Sequence, residues 1–438
     1  MSINRSVVFS FASQAPTIVF SFLAGVCITR LLGEEGRGVF TTLQADVTIL
    51  TFLLSVSMPS ALVYFLAKGE HSREQVIGLA MSILLVLMIL VGSLLVLIGV
   101  DVVNLDCFLP SSATDFFYIF FVGASLLMAV TQSFLGAIFL GVREFRVGNR
   151  MYVISALANL LVYGGLYWAY HGLGVNMIRW VLGGGMLVQF GLTMFWVVQY
   201  VHYVKVWPRL FSGGALLRPT LAFSAMGYLA DLLNQLNYRL DIWILGDIRG
   251  MADLGVYAVA VGVAQFFFMV PEPITRVLQP HLVSDDQTDL LSKFRFYSRL
   301  CITLVMAGGL VFLMGADWIF PLVYGKAFAA STLPFRLLMP GIVFACVSKM
   351  MVLLVVSTGK VKYNALASGL GLVMTVIFDL VLIPLYGPAG AAMASTLSYF
   401  TVLCVVLFVI FRRLGVPWDN YFILMPADIK KLLGRIGA

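Results

Sequence analysis

Residues 76–99 read VIGLAMSILLVLMILVGSLLVLIG, 24 residues in a row without a charged side chain. At about 1.5 Å per residue, a helix of this length crosses a hydrocarbon core about 30 Å thick. A membrane barrel would show segments of about ten residues alternating apolar with polar, and this stretch does not alternate. Lipid offers no water to the backbone, so such a block must close its hydrogen bonds within itself, as a helix.

Blocks of the same kind recur in both directions from this one. The pattern predicts helices near 8–31, 38–66, 76–99, 114–140, 150–170, 177–201, 219–245, 254–281, 297–320, 333–357, 363–386 and 389–411. The fold class is therefore an all-α polytopic membrane protein with about twelve transmembrane helices. Composition agrees, because 61% of the 438 residues are hydrophobic and 11% are charged. A soluble domain carries roughly 25% charged residues, the shell that covers its core. Arg5 followed by the long run Val7–Leu32 is too extended for a signal-peptide core and reads as a retained first helix.

Lysine and arginine placement predicts orientation. Putting the termini and the loops after even-numbered helices on one side collects twenty basic residues there and seven on the other, with Lys349 left inside the tenth helix. This bias assigns both termini to the cytoplasm. It also accounts for the net charge of +7 without nucleic acid. The basic loops would instead sit near anionic lipid headgroups.

The chain repeats itself weakly. Leu31-Leu32-Gly33 with Gly38-Val39-Phe40 is echoed by Ile244-Leu245-Gly246 with Gly255-Val256-Tyr257, and Gly172-Leu173-Gly174 by Gly387-Pro388-Ala389-Gly390. An offset of six helices keeps orientation, so the halves are parallel repeats. The expected division is an amino-terminal six-helix bundle at 1–207, a cytoplasmic linker at 208–218, a carboxy-terminal six-helix bundle at 219–414 and a cytoplasmic tail at 415–438. Two facing bundles make a transporter layout, since a seam between them can open to either side.

Several enzyme classes have nowhere to reside. Loops are short, the longest near Ser284–Lys293, so no soluble catalytic domain is expected. The five cysteines show no CxxC spacing, and the four histidines show no metal-ligand spacing. No Walker loop, HExxH or nucleophile elbow stands in a plausible setting, so neither a cofactor nor a metal is expected.

Ionisable residues inside the membrane each need a reason, because each costs roughly 2.5–3.5 kcal/mol on insertion scales. In the seventh helix Asp231, Asn234, Gln235, Tyr238 and Asp241 recur at three- and four-residue steps along one face. Such a stripe must face a cavity or a partner helix. Arg30, Arg239 and Asp241 fall near helix ends, where snorkelling to the interface competes with a cavity role. Glu272 and Arg276, one turn apart, suit a structural pair as well as a site. Lys349 lies too deep to snorkel, which leaves a cavity cation or an intramembrane ion pair. Asp46 in the second helix and Asp231 are candidates for a proton or sodium site; Asp379, just before Pro384, suits that role or a structural one.

Thr29-Arg30-Leu31-Leu32-Gly33-Glu34-Glu35-Gly36-Arg37-Gly38-Val39-Phe40, Arg239-Leu240-Asp241-Ile242-Trp243-Ile244-Leu245-Gly246, Tyr324-Gly325-Lys326-Ala327-Phe328 and Leu382-Ile383-Pro384-Leu385-Tyr386-Gly387-Pro388-Ala389-Gly390 occur in this order. This ordered set resembles the polysaccharide-transporter branch of the multidrug/oligosaccharidyl-lipid/polysaccharide exporter superfamily, which includes the O-antigen flippases. The resemblance implies a V-shaped pair of pseudo-symmetric bundles around a polar cavity. It also implies a substrate, a polyprenyl-diphosphate-linked oligosaccharide moved from the inner to the outer leaflet of the bacterial cytoplasmic membrane. Under that reading Lys349, Arg30, Arg239, Arg276, Asn234, Gln235 and Tyr238 line the substrate cavity, and Asp231, Asp46 and Asp379 couple H+ or Na+. Partners would be the lipid-linked oligosaccharide, membrane lipids and other polysaccharide-assembly proteins, serving lipopolysaccharide or O-antigen synthesis. A drug/cation antiporter of the same superfamily would use the same architecture, with acidic residues binding the coupling ion; a membrane-embedded glycan polymerase would show a large outer loop or a cluster of acidic residues there, and the outer loops are short.

Overall fold

The computed structural model describes residues 3–56, 58–69, 71–99, 115–170, 177–206, 209–210, 214–275, 278, 287–357, 362–415, 420–426 and 428. Those residues are overwhelmingly helical. The elements are α1 (Ile3–Ser55), α2 (Met58–Lys68), α3 (Arg73–Gly99), α4 (Phe116–Gly141), α5 (Phe145–Tyr170), α6 (Ile178–Tyr203), α7 (Gly214–Asn237) and α8 (Leu240–Arg249). They continue with α9 (Met251–Gln265), α10 (Gln287–Tyr324), α11 (Thr332–Ser357), α12 (Lys362–Tyr386) and α13 (Pro388–Phe408). Short 3-10 turns at Phe266–Met269 and Lys326–Ser331 follow α9 and α10, and a π-helical turn at Val409–Arg413 follows α13.

Among the described residues, ten helices are long and apolar enough to cross a membrane. Two features reconcile these with the twelve expected segments. The stretch Gln14–Ser55 is 42 residues long, about twice what one crossing needs, and it breaks at Gly33. The seventh expected segment is not one of the ten, and it divides into α7 and α8 at Tyr238-Arg239. The second expected helix, 38–66, is likewise divided. Val56 adopts a positive φ of 44°, and Pro59 sits in the first turn of α2, where its missing N–H leaves no hydrogen bond unmade. Helix α10 starts about ten residues earlier than expected. Its 38 residues exceed a bilayer crossing, so its basic first turns can lie beyond the hydrocarbon.

Gly33 has φ 65° and ψ −168°, and Gly250, which caps α9, has φ 90° and ψ 173°. Both lie in a region open essentially to glycine alone. They are 217 residues apart, as are Gly38 and Gly255. The repeat register therefore pairs Gly33 with Gly250, correcting the expected pairing with Gly246, which lies inside α8. Gly325 (φ 105°) and Gly387 (φ 56°) make the joints before α11 and α13.

The chain forms two compact units, Gln14–Asp247 and Met1–Ser13 with Ile248–Ala438. In the first, apolar side chains of α2, α3, α4, α5 and α6 interlock around Phe134, Phe139 and Trp196, and Leu216 of α7 joins them. The expected linker 208–218 lies within this unit, where Arg209 pairs with Glu74 at 3.1 Å. In the second unit, small residues let α11, α12 and α13 approach closely. A Cβ on Gly341 would stand 2.7 Å from the Thr396 backbone, and one on Gly390 would stand 2.1 Å from the Leu382 carbonyl oxygen. Hydroxyl groups bridge these helices, with Ser398 Oγ donating to the Gly371 carbonyl at 2.9 Å and Thr396 Oγ1 to that of Leu337 at 2.7 Å. Small residues and hydroxyl bridges are the usual adhesive between helices in lipid.

The outer faces carry exposed Leu, Ile, Val, Phe and Met in place of a charged shell. Trp168, Trp180 and Trp318 are 84%, 63% and 80% exposed, near the ends of α5, α6 and α10. That is where an indole meets the headgroup layer.

Candidate functional site

Most of the sequence-predicted residues fall in the Gln14–Asp247 unit. Arg30 is exposed near the end of the first arm of α1, and its Nη1 donates to the Tyr167 hydroxyl at 3.2 Å. Asp46, in the second arm, accepts a 2.7 Å hydrogen bond from Trp243 Nε1 on its Oδ1. Its Oδ2 is buried and accepts no hydrogen bond from a described residue. One carboxylate is thereby held against α8 with half of its acceptor capacity open. The indole belongs to the Asp241-Ile242-Trp243 run, so the structure joins Asp46 to that motif across 197 residues of sequence.

The stripe on α7 is graded. Asp231 is exposed; Asn234, Gln235, Tyr238 and Arg239 are half-buried; Asn237 and Asp241 are buried. The helical ladder lapses at its end, where Tyr238 N–H still reaches the Asn234 carbonyl but Arg239 N–H turns to Leu236. Within lipid such a break is tolerated only where protein or water meets the loosened backbone. Of the predicted ion-coupling groups, Asp46 is tied to α8 and Asp231 stands a few turns earlier on α7.

In the other unit, Lys349 of α11 lies with Nζ 4.0 Å above the Phe268 ring, and Glu272 is near enough to act on it electrostatically. An ammonium over an aromatic face is stabilised by the ring quadrupole. Asp379 is fully buried within α12. Arg276 lies outside the described residues.

Two clusters escape a search for ionisable groups deep in apolar blocks. Gln44, Gln132, Ser155, Asn159, Tyr163 and Gln189 line one small cavity in the first unit. Four amides inside apolar helices, Gln44, Gln132, Asn159 and Gln189, were the available signal, a faint one because they carry no charge. In the second unit Arg299 pairs with Asp428 at 2.8 Å, the two side chains only 10% and 5% exposed. Arg299 also donates to the Asn420 carbonyl at 3.0 Å, and Ser298 Oγ donates to that of Tyr421 at 2.9 Å. Tyr421 is fully buried, with Phe294 and Phe411 around it. Segment 420–428 is thus clasped to the start of α10.

A family model described as "Polysaccharide biosynthesis protein" matches residues 27–333, more than half of the chain. The chain belongs to this family. The chain is 23% identical over 265 residues to the capsular polysaccharide biosynthesis protein CapF of Staphylococcus aureus, covering 59% of this chain and 65% of that relative. The match thus spans just under two thirds of the relative's length. Among solved structures, the lipid II flippase MurJ in an inward closed conformation superposes with a TM-score of 0.69 at 13% identity, covering 98% of this chain and 96% of that one. An outward-facing multidrug resistance MATE family transporter of the MOP superfamily gives 0.66 at 15% identity, covering 94% and 95%. These likenesses establish the fold that the ordered motifs implied, an all-α polytopic membrane protein of the MATE and MurJ kind.

Proposed function

We propose that this protein is a flippase. It moves a polyprenyl-diphosphate-linked oligosaccharide, an O-antigen or exopolysaccharide repeat unit, from the inner to the outer leaflet of a bacterial cytoplasmic membrane. Both termini lie in the cytoplasm, and the repeats are the six-helix halves 1–207 and 219–414. The observation that carries the reading is membership of a polysaccharide biosynthesis family by a chain made of membrane-spanning helices. A diphosphate and its sugars cannot cross hydrocarbon unaided, because each charge and hydroxyl would lose its water. A membrane protein serving polysaccharide assembly answers that need by lining a route with polar groups while the lipid tail stays in the bilayer.

Lys349, Arg30, Arg239 and Arg276 are the proposed contacts for the diphosphate, with Asn234, Gln235 and Tyr238 beside them. Asp46, Asp231 and Asp379 are the proposed groups for H+ or Na+ coupling. The test is made in cells depleted of the protein. Completed polyprenyl-diphosphate glycan is expected to accumulate with its sugars on the cytoplasmic leaflet, and wild type but not Lys349→Ala is expected to release it. Normal leaflet distribution, in a strain without a second flippase, would reject the reading in favour of a drug/cation antiporter on the same fold.

A further inference from the structure

The neutral cavity of the Gln14–Asp247 unit has about 180 Å³ of space, the share of about six waters. Three of its four amides have fixed orientations. Gln132 Nε2 donates to Thr193 Oγ1 at 2.8 Å and to the Gln189 carbonyl at 3.3 Å. Asn159 Nδ2 donates to the Ser155 carbonyl at 3.0 Å, and Gln189 Nε2 to the Ser125 carbonyl at 3.4 Å. A backbone carbonyl can only accept, so in each case the nitrogen must face it. Thr193 uses its own proton on the Gln189 carbonyl at 2.8 Å. The amide oxygens of Gln132, Asn159 and Gln189 are left as acceptors, and none receives a hydrogen bond from a described residue.

The remaining walls are as specific. Tyr163 is 5% exposed, and a Cβ on Gly185 would stand 2.5 Å from its hydroxyl. Glycine at 185 therefore makes room for a phenol that can donate as well as accept. Phe40 and Phe121, both buried, supply apolar faces. No Asp, Glu, Lys or Arg lines the cavity. A dehydrated cation in lipid is best held with a counter-charge nearby, and this cavity offers none. A neutral ligand rich in hydroxyl donors, with a flat C–H face for the aromatic rings, matches the acceptors and the rings together.

We propose that this cavity is a binding site for a single neutral sugar ring, its hydroxyls donating to the amide oxygens of Gln132, Asn159 and Gln189 and one of them pairing with the Tyr163 hydroxyl. The inference deepens the flippase reading and rests on it for the source of the sugar, a residue of the transported glycan. A site built on hydrogen bonds to hydroxyls discriminates strongly, because an analogue without them leaves buried acceptors unmatched. The cavity would then sort glycans by one residue, independently of the diphosphate.

The test is saturation-transfer NMR on the full chain in lipid nanodiscs, with glucose, galactose, N-acetylglucosamine and N-acetylgalactosamine as probes and cyclohexanol as the apolar control. At least one sugar is expected to receive saturation, and cyclohexanol is not. Tyr163→Phe, which keeps the ring and removes one hydroxyl, is expected to weaken that sugar about fivefold, the worth of one hydrogen bond. Gln132→Leu, accepted only if it stays monodisperse, should weaken it more. No response from any sugar in wild type, or a response that both variants retain, overturns the proposal. So does sodium-22 binding lost in both variants with no sugar bound, which would make the cavity a cation site. Failure here with glycan still trapped in depleted cells removes the sugar site and leaves the flippase. Sugar binding without trapped glycan removes the flippase and leaves the site.

Discussion

In the Gln14–Asp247 unit much of the polarity inside the helices is neutral: Gln132, Asn159 and Gln189 donate inward to backbone carbonyls and keep their oxygens open. In the other unit it is charged and partnered, as in Arg299 with Asp428 and Lys349 over Phe268. The contrast follows from desolvation. An amide oxygen can face a small cavity at modest cost, so it can wait for a guest. A buried charge costs several kcal/mol unless it is compensated, so it is tied into the structure. Asp46 stands between these regimes, a carboxylate with one oxygen on Trp243 and the other open.

The sharpest way to break this comparison is to remove one member of the clasp. Arg299→Ala strands Asp428, and breaking such a pair typically costs about 3–5 kcal/mol. Its melting midpoint in detergent, read by fluorescence-detected size exclusion, should fall further than that of any variant below. An unchanged midpoint would mean that the ion pair is not a structural element. Next in size is Trp243→Phe, which deletes a hydrogen bond to a charged acceptor worth about 1.5–3 kcal/mol. Asp46→Asn keeps an acceptor for the indole and should lower the same midpoint less; equal losses would show that the charge itself matters to folding.

Gly33→Ala and Gly250→Ala come third. Neither new methyl group meets an atom within 4 Å, so the penalty is backbone strain alone, of order 1–3 kcal/mol. The two losses should be similar if the positions are equivalent in the repeat, and a loss at only one would break the register. Smallest is Arg336→Ala, which removes an exposed pair with Asp317. Its midpoint should move by less than about 1 kcal/mol would imply.

Much of this architecture was legible because lipid punishes exceptions. The apolar run 76–99 could be little other than a crossing helix, and α3 occupies Arg73–Gly99. The polar face of α7 was visible for the same reason. Sequence could not show that Gly250, rather than Gly246, matches Gly33, since only a backbone angle distinguishes them. Arg299 and Asp428 also stayed hidden, because a charge near a helix end looks solvated until its partner from a distant segment is placed. The cavity amides stayed hidden because Gln44, Gln132, Asn159 and Gln189 stand on separate helices, where a lone uncharged amide leaves an apolar block looking like an ordinary span.

The clasp has a bearing on how the protein is made. Arg299 and Asp428 are separated by 129 residues. A ribosome reads them in that order, so the arginine emerges long before its carboxylate. Until then the basic start of α10 stays in water or among headgroups, and α11, α12 and α13 enter the membrane beside a segment not yet fastened. Seating of 420–428 is thus a late step in maturation. A reporter fused beyond residue 428 permits it, whereas one fused at residue 415 leaves the arginine waiting.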